Sequence, residues 1–158
     1  MKLSQTLNEA LNQQILIELG NQNKYMQVQS YFESLQLKNL ANFFKTQSTG
    51  ENGHANLFMD HVNDRNGGNI ILGEVDTPKI NFTDISSVAD FYELTEQQTT
   101  ESIESLYDLA LNEKSYIDLP FLQSMLSEQV EEEDTSQKLA LNLKMVKDIV
   151  LFDATFEG

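Results

Sequence analysis

The chain has 158 residues, 40% of them hydrophobic, with 25 acidic side chains against 10 basic ones and a formal net charge of −15. That length suits one domain with a sizeable core, and the absence of cysteine excludes disulfides, thiolate metal sites and cysteine nucleophiles. The charge repels phosphate backbones and anionic lipid, which argues against nucleic acid and membrane as partners, whereas an acidic cavity gathers cations.

The spacing predicts a first helix over about 4–35, with Ser4 as its N-cap. Leu7, Leu11, Gln14, Glu18, Asn21, Tyr25, Val28, Phe32 and Leu35 repeat every three or four residues and so share one face. Residues 36–39 are too few for anything but a turn, so a second helix over about 39–66 lies antiparallel to the first. Its inward stripe is Leu40, Phe44, Gln47, Glu51, His54, Phe58 and His61, and Gly67-Gly68 ends it. Gly50 and Gly53 flank Glu51, and each is expected to weaken the helix by about 1 kcal/mol relative to alanine.

Residues 69–84 have few helix formers. Extended at about 3.3 Å per residue they reach roughly 50 Å, more than the roughly 42 Å of a 28-residue helix, so they can cross the length of a bundle. A third helix, about 86–112 and capped by Ser86 or Ser87, then runs parallel to the second. Its stripe is Ala89, Tyr92, Glu96, Thr99, Ile103, Leu106 and Ala110. Asp118 is expected to cap a fourth helix over about 118–147, with Pro120 tolerated in the first turn. Inward positions there are Leu122, Met125, Leu126, Gln129, Glu132, Ser136, Leu139 and Leu143. The tail, 148–158, carries Ile149, Val150, Leu151, Phe152 and Phe156, too apolar to be left free, and is expected to pack on a neighbouring subunit. No stretch is long and apolar enough for a membrane span and the first residues lack a signal-peptide pattern, so a soluble cytoplasmic protein is expected.

The fold class predicted is therefore all-α, a single four-helix bundle over residues 1–158 with one long crossover between the second and third helices. Each helix carries polar groups near the middle of its apolar seam: Glu18, Glu51 with His54, Glu96, and Gln129 with Glu132. Four carboxylates cannot all stay ionised at close range in an apolar core, because like charges and desolvation both oppose it. Divalent cations resolve the conflict, and oxygen-rich sites with one imidazole suit iron or manganese. Glu51 and Glu132 are best placed to bridge two ions, since each lies on a helix with a second ligand.

On these residues the chain resembles the ferritins, of the bacterial non-haem type, from Leu3 to Phe156. The matching stretches are Glu18 with Tyr25, Glu51-Asn-Gly-His54, Asn63-Asp-Arg-Asn-Gly-Gly68, Thr95-Glu-Gln97 and Phe121 to Glu133. The resemblance implies a di-iron site in which Glu18, Glu51 and His54 hold one iron and Glu51, Glu96 and Glu132 the other, with Gln129 beside them. It implies an outer third iron site at Glu128, Glu131 and Glu132, weakened here because Gly50 stands where relatives supply a glutamate. Haem is not expected: helix four offers Gln129-x-x-Glu132 instead of a second histidine ligand, and Asn52 replaces the haem-binding methionine.

By the same resemblance the protein is a ferroxidase and iron store. Fe(II) is oxidised by oxygen or peroxide, Tyr25 supplies a further electron, and Fe(III) mineralises within a homo-oligomeric shell of 24 subunits. A rival is an iron-binding shell subunit whose catalysis is weak because Gly50 and Gly53 loosen the site. A twelve-subunit DNA-protecting miniferritin places its ligands between subunits and often carries a basic tail, and this chain shows neither feature.

Overall fold

The computed structural model describes residues 2–158 and contains five helices: α1 (Gln5–Ser34), α2 (Lys38–Asp64), α3 (Ile85–Asn112), α4 (Leu119–Met145) and α5 (Ile149–Thr155). The first four form the expected bundle, with α1 against α2 and α3 against α4. Ser4 caps α1 as predicted, its side chain accepting from the Leu7 amide at 3.0 Å. Gln36 takes a left-handed φ of 61° in the turn, and the Leu37 amide closes back on the Phe32 carbonyl at 3.0 Å. Leu37 therefore enters the core, whereas Leu35, assigned to the α1 stripe from spacing, is 44% exposed.

The end of α2 differs in detail from the sequence expectation. Asn66 and Gly68 take the positive φ values, while Gly67 is needed for close approach: a Cβ there would lie 2.9 Å from the Val62 carbonyl oxygen and 2.8 Å from Asn8 Oδ1. The chain then runs without helix or strand to Asp84, laid along α1 in the same direction. Asn8 donates to the Gly67 carbonyl, Asn12 accepts from the Ile71 amide, Asn23 donates to Thr77, and Gln27 brackets Pro78 and Ile80. Amide side chains at the α1 surface thus satisfy backbone that no ladder can. This crossing brings α3 in parallel to α2, capped by Asp84 instead of Ser86 or Ser87. Its carboxylate accepts from the Ser87 amide at 2.7 Å.

Asp118 precedes α4 but does not cap it. Its carboxylate is taken by Arg65 Nε at 2.6 Å, His61 Nε2 at 2.9 Å and Ser115 Oγ at 2.5 Å, tying the α3–α4 turn to the end of α2. The tail departs further from expectation. It forms α5 and docks on its own chain, with Ile149, Phe152 and Phe156 against the core around Phe43. Asp153 accepts from the Leu40 amide at 2.8 Å, the capping bond that Leu37 at the start of α2 cannot supply. Val150 and Leu151 remain exposed.

The core is in two parts. One apolar cluster, including Leu7, Leu11, Phe58, Ile103 and Leu122, fills the end of the bundle near Leu3, and the other, including Tyr25, Phe32, Phe44, Tyr92 and Leu143, fills the opposite end. Between them lies a buried polar layer of Glu18, Asn21, Ser48, Glu51, Thr95, Glu96, Thr99 and Gln129. Among the described residues no helix is long and apolar enough to cross a membrane.

Candidate metal centre

Helical spacing delivers the polar layer. Glu18 follows Gln14 by four residues, so the Gln14 amide donates to Glu18 Oε1 at 2.8 Å and fixes the carboxylate. Glu18 Oε2 is buried and has no donor. The same i, i+3 logic sets His54 beside Glu51 on α2, with His54 Nδ1 at 3.3 Å from Glu51 Oε2 and 3.8 Å from Glu18 Oε2. Ligand atoms of Glu18, Glu51 and His54 lie within 4.8 Å of one another, close enough to hold one metal ion.

Glu96 closes the layer from α3. The Tyr25 hydroxyl donates to Glu96 Oε1, and the Gln129 amide nitrogen donates to Glu96 Oε2 at 3.3 Å and to Thr100 Oγ1 at 3.2 Å. Gln129 therefore positions Glu96 from α4. The Tyr25 ring is itself held edge-on to Tyr92 and tilted against Phe44, with centroids at 5.5 and 5.9 Å. Glu132 is half-buried, and with His54 and the exposed Glu128 it forms a second trio whose ligand atoms lie within 4.8 Å of one another. Glu131 is exposed and belongs to neither trio.

The electrostatics follow from burial of like charges. Desolvation, then the charge of Glu51, holds the Glu18 carboxyl well above its usual range. Glu51 is raised in the same way, by burial first and by Glu96 second. Burial also raises Glu96, although the hydrogen bonds from Tyr25 and Gln129 work against the shift. Glu132 is pushed up to about 7 by partial burial and by Glu96, with His54 opposing. The Tyr25 phenol is raised by burial and by Glu96, which keeps it protonated as the donor to that carboxylate. A layer of this kind exists without metal only by keeping protons, and a cation entering it displaces them.

Residues 8–146 match the family described as Ferritin: Ferritin-like domain. The chain belongs to the ferritin family. It is 35% identical over 133 residues to a bacterial non-heme ferritin of Staphylococcus epidermidis, covering 84% of this chain and 80% of that one. To the bacterial non-heme ferritin of Bacteroides fragilis (strain 638R) it is 30% identical over 153 residues, covering 95% and 94%. Among solved structures it is similar to the open pore ferritin of the hyperthermophilic archaeon Archaeoglobus fulgidus, with a TM-score of 0.91, 29% identity, and coverage of 97% of this chain and 96% of that one. The Chlorobium tepidum ferritin aligns with a TM-score of 0.87 at 29% identity over 92% of this chain and 88% of that one.

Within this ferritin bundle, Glu18, Glu51, Glu96 and Gln129 are buried in the polar layer, Tyr25 and His54 touch it through Glu96 and Glu51, Glu132 is half-buried beside His54, and Glu128 and Glu131 are exposed. Three features escape sequence reasoning. Gln14 supports Glu18, and its position four residues earlier on the same face is the available signal. His54 serves both trios, which only the placement of α4 beside α2 reveals. The Arg65–Asp118–His61 clasp joins residues 53 and 57 positions apart, and no local pattern announces it.

Proposed function

We propose that this ferritin binds Fe(II) as substrate in the polar layer, oxidises it there and stores the Fe(III) product as mineral inside a homo-oligomeric shell of 24 subunits. The observation that carries the reading is the convergence of Glu18, Glu51, His54, Glu96 and Glu132 on one level of the core. Four carboxyls are raised there by burial, and one carboxylate oxygen has no hydrogen-bond partner. Glu18, Glu51 and His54 hold one ion, and Glu51, Glu96 and Glu132 the second, with Glu51 shared. Each Fe(II) gives up one electron, and oxygen or peroxide takes both. Hard carboxylate ligands favour the Fe(III) product, and His54 fixes the geometry of one ion.

The protein's own groups do the proton and positioning work. Carboxyls that are neutral in the empty layer release protons as the ions arrive. Gln14 and Gln129 hold Glu18 and Glu96 in place, so the ligands need little reorganisation. Tyr25, whose hydroxyl donates to Glu96, gives one further electron to the oxygen or peroxide in this reading, its phenolic proton passing to the Glu96 carboxylate. Glu128 and Glu132, with His54, form the candidate for a third, weaker iron position, and Glu131 lies outside it. No haem is assigned.

The rival, an iron-binding shell subunit with weak catalysis, differs in its rate of oxidation; α2 runs unbroken from Lys38 to Asp64 through Gly50 and Gly53. Aerobic oxidation of Fe(II) at two ions per chain, followed by stopped flow, tests the proposal. A fast phase saturating at that ratio and lost in Glu51→Ala is expected. A wild-type rate in the assembled Glu51→Ala protein overturns it.

A further inference from the structure

Two buried side-chain atoms among the described residues have no hydrogen-bond partner: Glu18 Oε2, which belongs to the inner metal trio, and the hydroxyl oxygen of Tyr92. Tyr92 is fully buried on α3, one helical turn before Glu96. A hydroxyl taken out of water without a partner is destabilising, and buried tyrosines usually find one. Packing of the ring does not account for it. The ring lies edge-on to Tyr25, Phe43 and Phe44, with centroids at 5.5, 6.2 and 5.0 Å, and a phenylalanine ring would keep all three contacts.

The acceptors on the near side of the layer are already engaged. Glu96 gives Oε1 to the Tyr25 hydroxyl and Oε2 to the Gln129 amide, and Glu51 Oε2 faces His54 at 3.3 Å. Burial, then the charges of Glu96, Glu132 and Glu51, hold the Tyr92 phenol well above its ordinary range, so the hydroxyl keeps its proton and remains a donor beside these three carboxyls. Glu132 alone of the three is not fixed in the layer. Half-buried on α4, it stands with His54 and Glu128, and among the described residues no trio joins it to Glu51 and Glu96. To share an ion with those two it must turn inward, and an oxygen that leaves water on the way in needs a donor.

We propose that Tyr92 is a positioning residue of the loaded layer: its hydroxyl, idle while the layer is empty, donates to Glu132 when that carboxylate turns in to share the second ion with Glu51 and Glu96. One Glu132 oxygen then faces the ion and the other the phenol. Two edge-on tyrosines, Tyr25 from α1 and Tyr92 from α3, thereby hold two ligands of the same ion, Glu96 and Glu132. The inference rests on the two-ion reading of the layer and adds what secures its half-buried carboxylate.

Tyr92→Phe tests it. In the metal-free protein the urea midpoint is expected to stay at or above wild type, because no bond is lost and an unsatisfied hydroxyl is removed. Co(II) needs no oxidation step, and calorimetry of the assembled variant is expected to show a first ion bound within about twofold of wild type and a second bound about tenfold more weakly, as for loss of one hydrogen bond to a charged group. Ultraviolet resonance Raman reads the hydroxyl directly. The difference spectrum of wild type minus Tyr92→Phe should change from a free phenol to a hydrogen-bond donor as Co(II) saturates the protein, and should remain that of a free phenol when both proteins carry Glu132→Ala. A second ion of unchanged affinity overturns the proposal, as does an equal loss at both ions, a lower urea midpoint in metal-free Tyr92→Phe, or a donor signal that persists without Glu132. Wild-type protein that binds fewer than two Co(II) per chain overturns the two-ion reading itself, a distinct result.

Discussion

Metal uptake should release protons in an amount set by pH, and Glu132 makes the amount calculable. Its carboxyl is raised from 4.5 to about 7, by partial burial and then by the charge of Glu96. For a group titrating there, the protonated fraction is about 0.9 near pH 6, about 0.5 near pH 7 and about 0.1 near pH 8. Replacing it with glutamine removes that proton and leaves Glu18, Glu51 and Glu96 to contribute theirs. The difference in protons released between wild type and Glu132→Gln should therefore fall from about 0.9 to about 0.1 per chain across that range. The assay is anaerobic addition of Co(II) to saturation in weakly buffered protein, with base delivered by a pH-stat. A difference that does not change with pH refutes the assignment of a Glu132 that titrates at about 7, and with it the account of how the empty layer is tolerated.

The same physics fixes the sign of the stability dependence. Glu18, Glu51, Glu96 and Glu132 all bind protons more tightly folded than unfolded. For Glu132 the extra proton is held between about pH 4.5 and about pH 7, and the other three shifts have the same sign, so stability of the metal-free protein falls as pH rises through that window. For Glu132 alone the full shift corresponds to roughly 3 kcal/mol, reduced to about 2 kcal/mol because the group is only half-buried. Urea midpoints with chelator present should be higher near pH 5 than near pH 7.5, and divalent cation should remove the difference. Midpoints that rise with pH in the metal-free protein contradict the sign.

Gly50→Ala and Gly53→Ala should each stabilise the protein by about 0.5–1 kcal/mol in urea unfolding, since a methyl group at either position enters open space and alanine favours helix; destabilisation would reveal a contact the structure does not contain. Asp118→Asn should cost about 3 kcal/mol by the same measurement, because one carboxylate serves Arg65, His61 and Ser115. Tyr25→Phe removes a hydrogen bond that works against the upward shift of Glu96, so Co(II) affinity, read by calorimetry, should fall, and by more at lower pH than at higher pH. Asp153→Ala should lose about 1 kcal/mol and fray the start of α2, read as faster amide exchange at Leu40.

The bundle was legible because its stripes are long: every α3 position assigned from spacing is buried, and so is the α1 face from Leu7 to Phe32. The polar layer was legible for the same reason, since a carboxylate inside an apolar stripe announces itself. What escaped depends on partners distant in the chain. Leu37 gives no sign that α2 is capped by Asp153, and Asp118 reads as a cap until Arg65 and His61 take its oxygens. Composition showed an apolar tail but not its partner. Phe43 and Asn39, which receive Phe156 and the Asp153 carbonyl, lie more than a hundred residues earlier.

The division of the core explains how one helix can carry both a weak stretch and a demanding site. Two apolar clusters anchor α2 at its ends, through Phe43 and Phe44 on one side and Phe58 and Val62 on the other. The stretch between them, Ser48 to His54, is thereby held in register whatever its own propensity, and Gly50 and Gly53 need not be offset locally. That stretch also carries Glu51 and His54, which with Glu18 form a trio able to hold a metal ion. A layer sealed by large side chains on every side would keep its protons but admit no ion. Here Gly53 borders the cleft between α2 and α4 that leaves His54 partly exposed, and a Cβ at Gly53 would meet nothing within 4 Å. Helix propensity is weakest beside Glu51 and His54, and the apolar ends supply the stability that makes this possible.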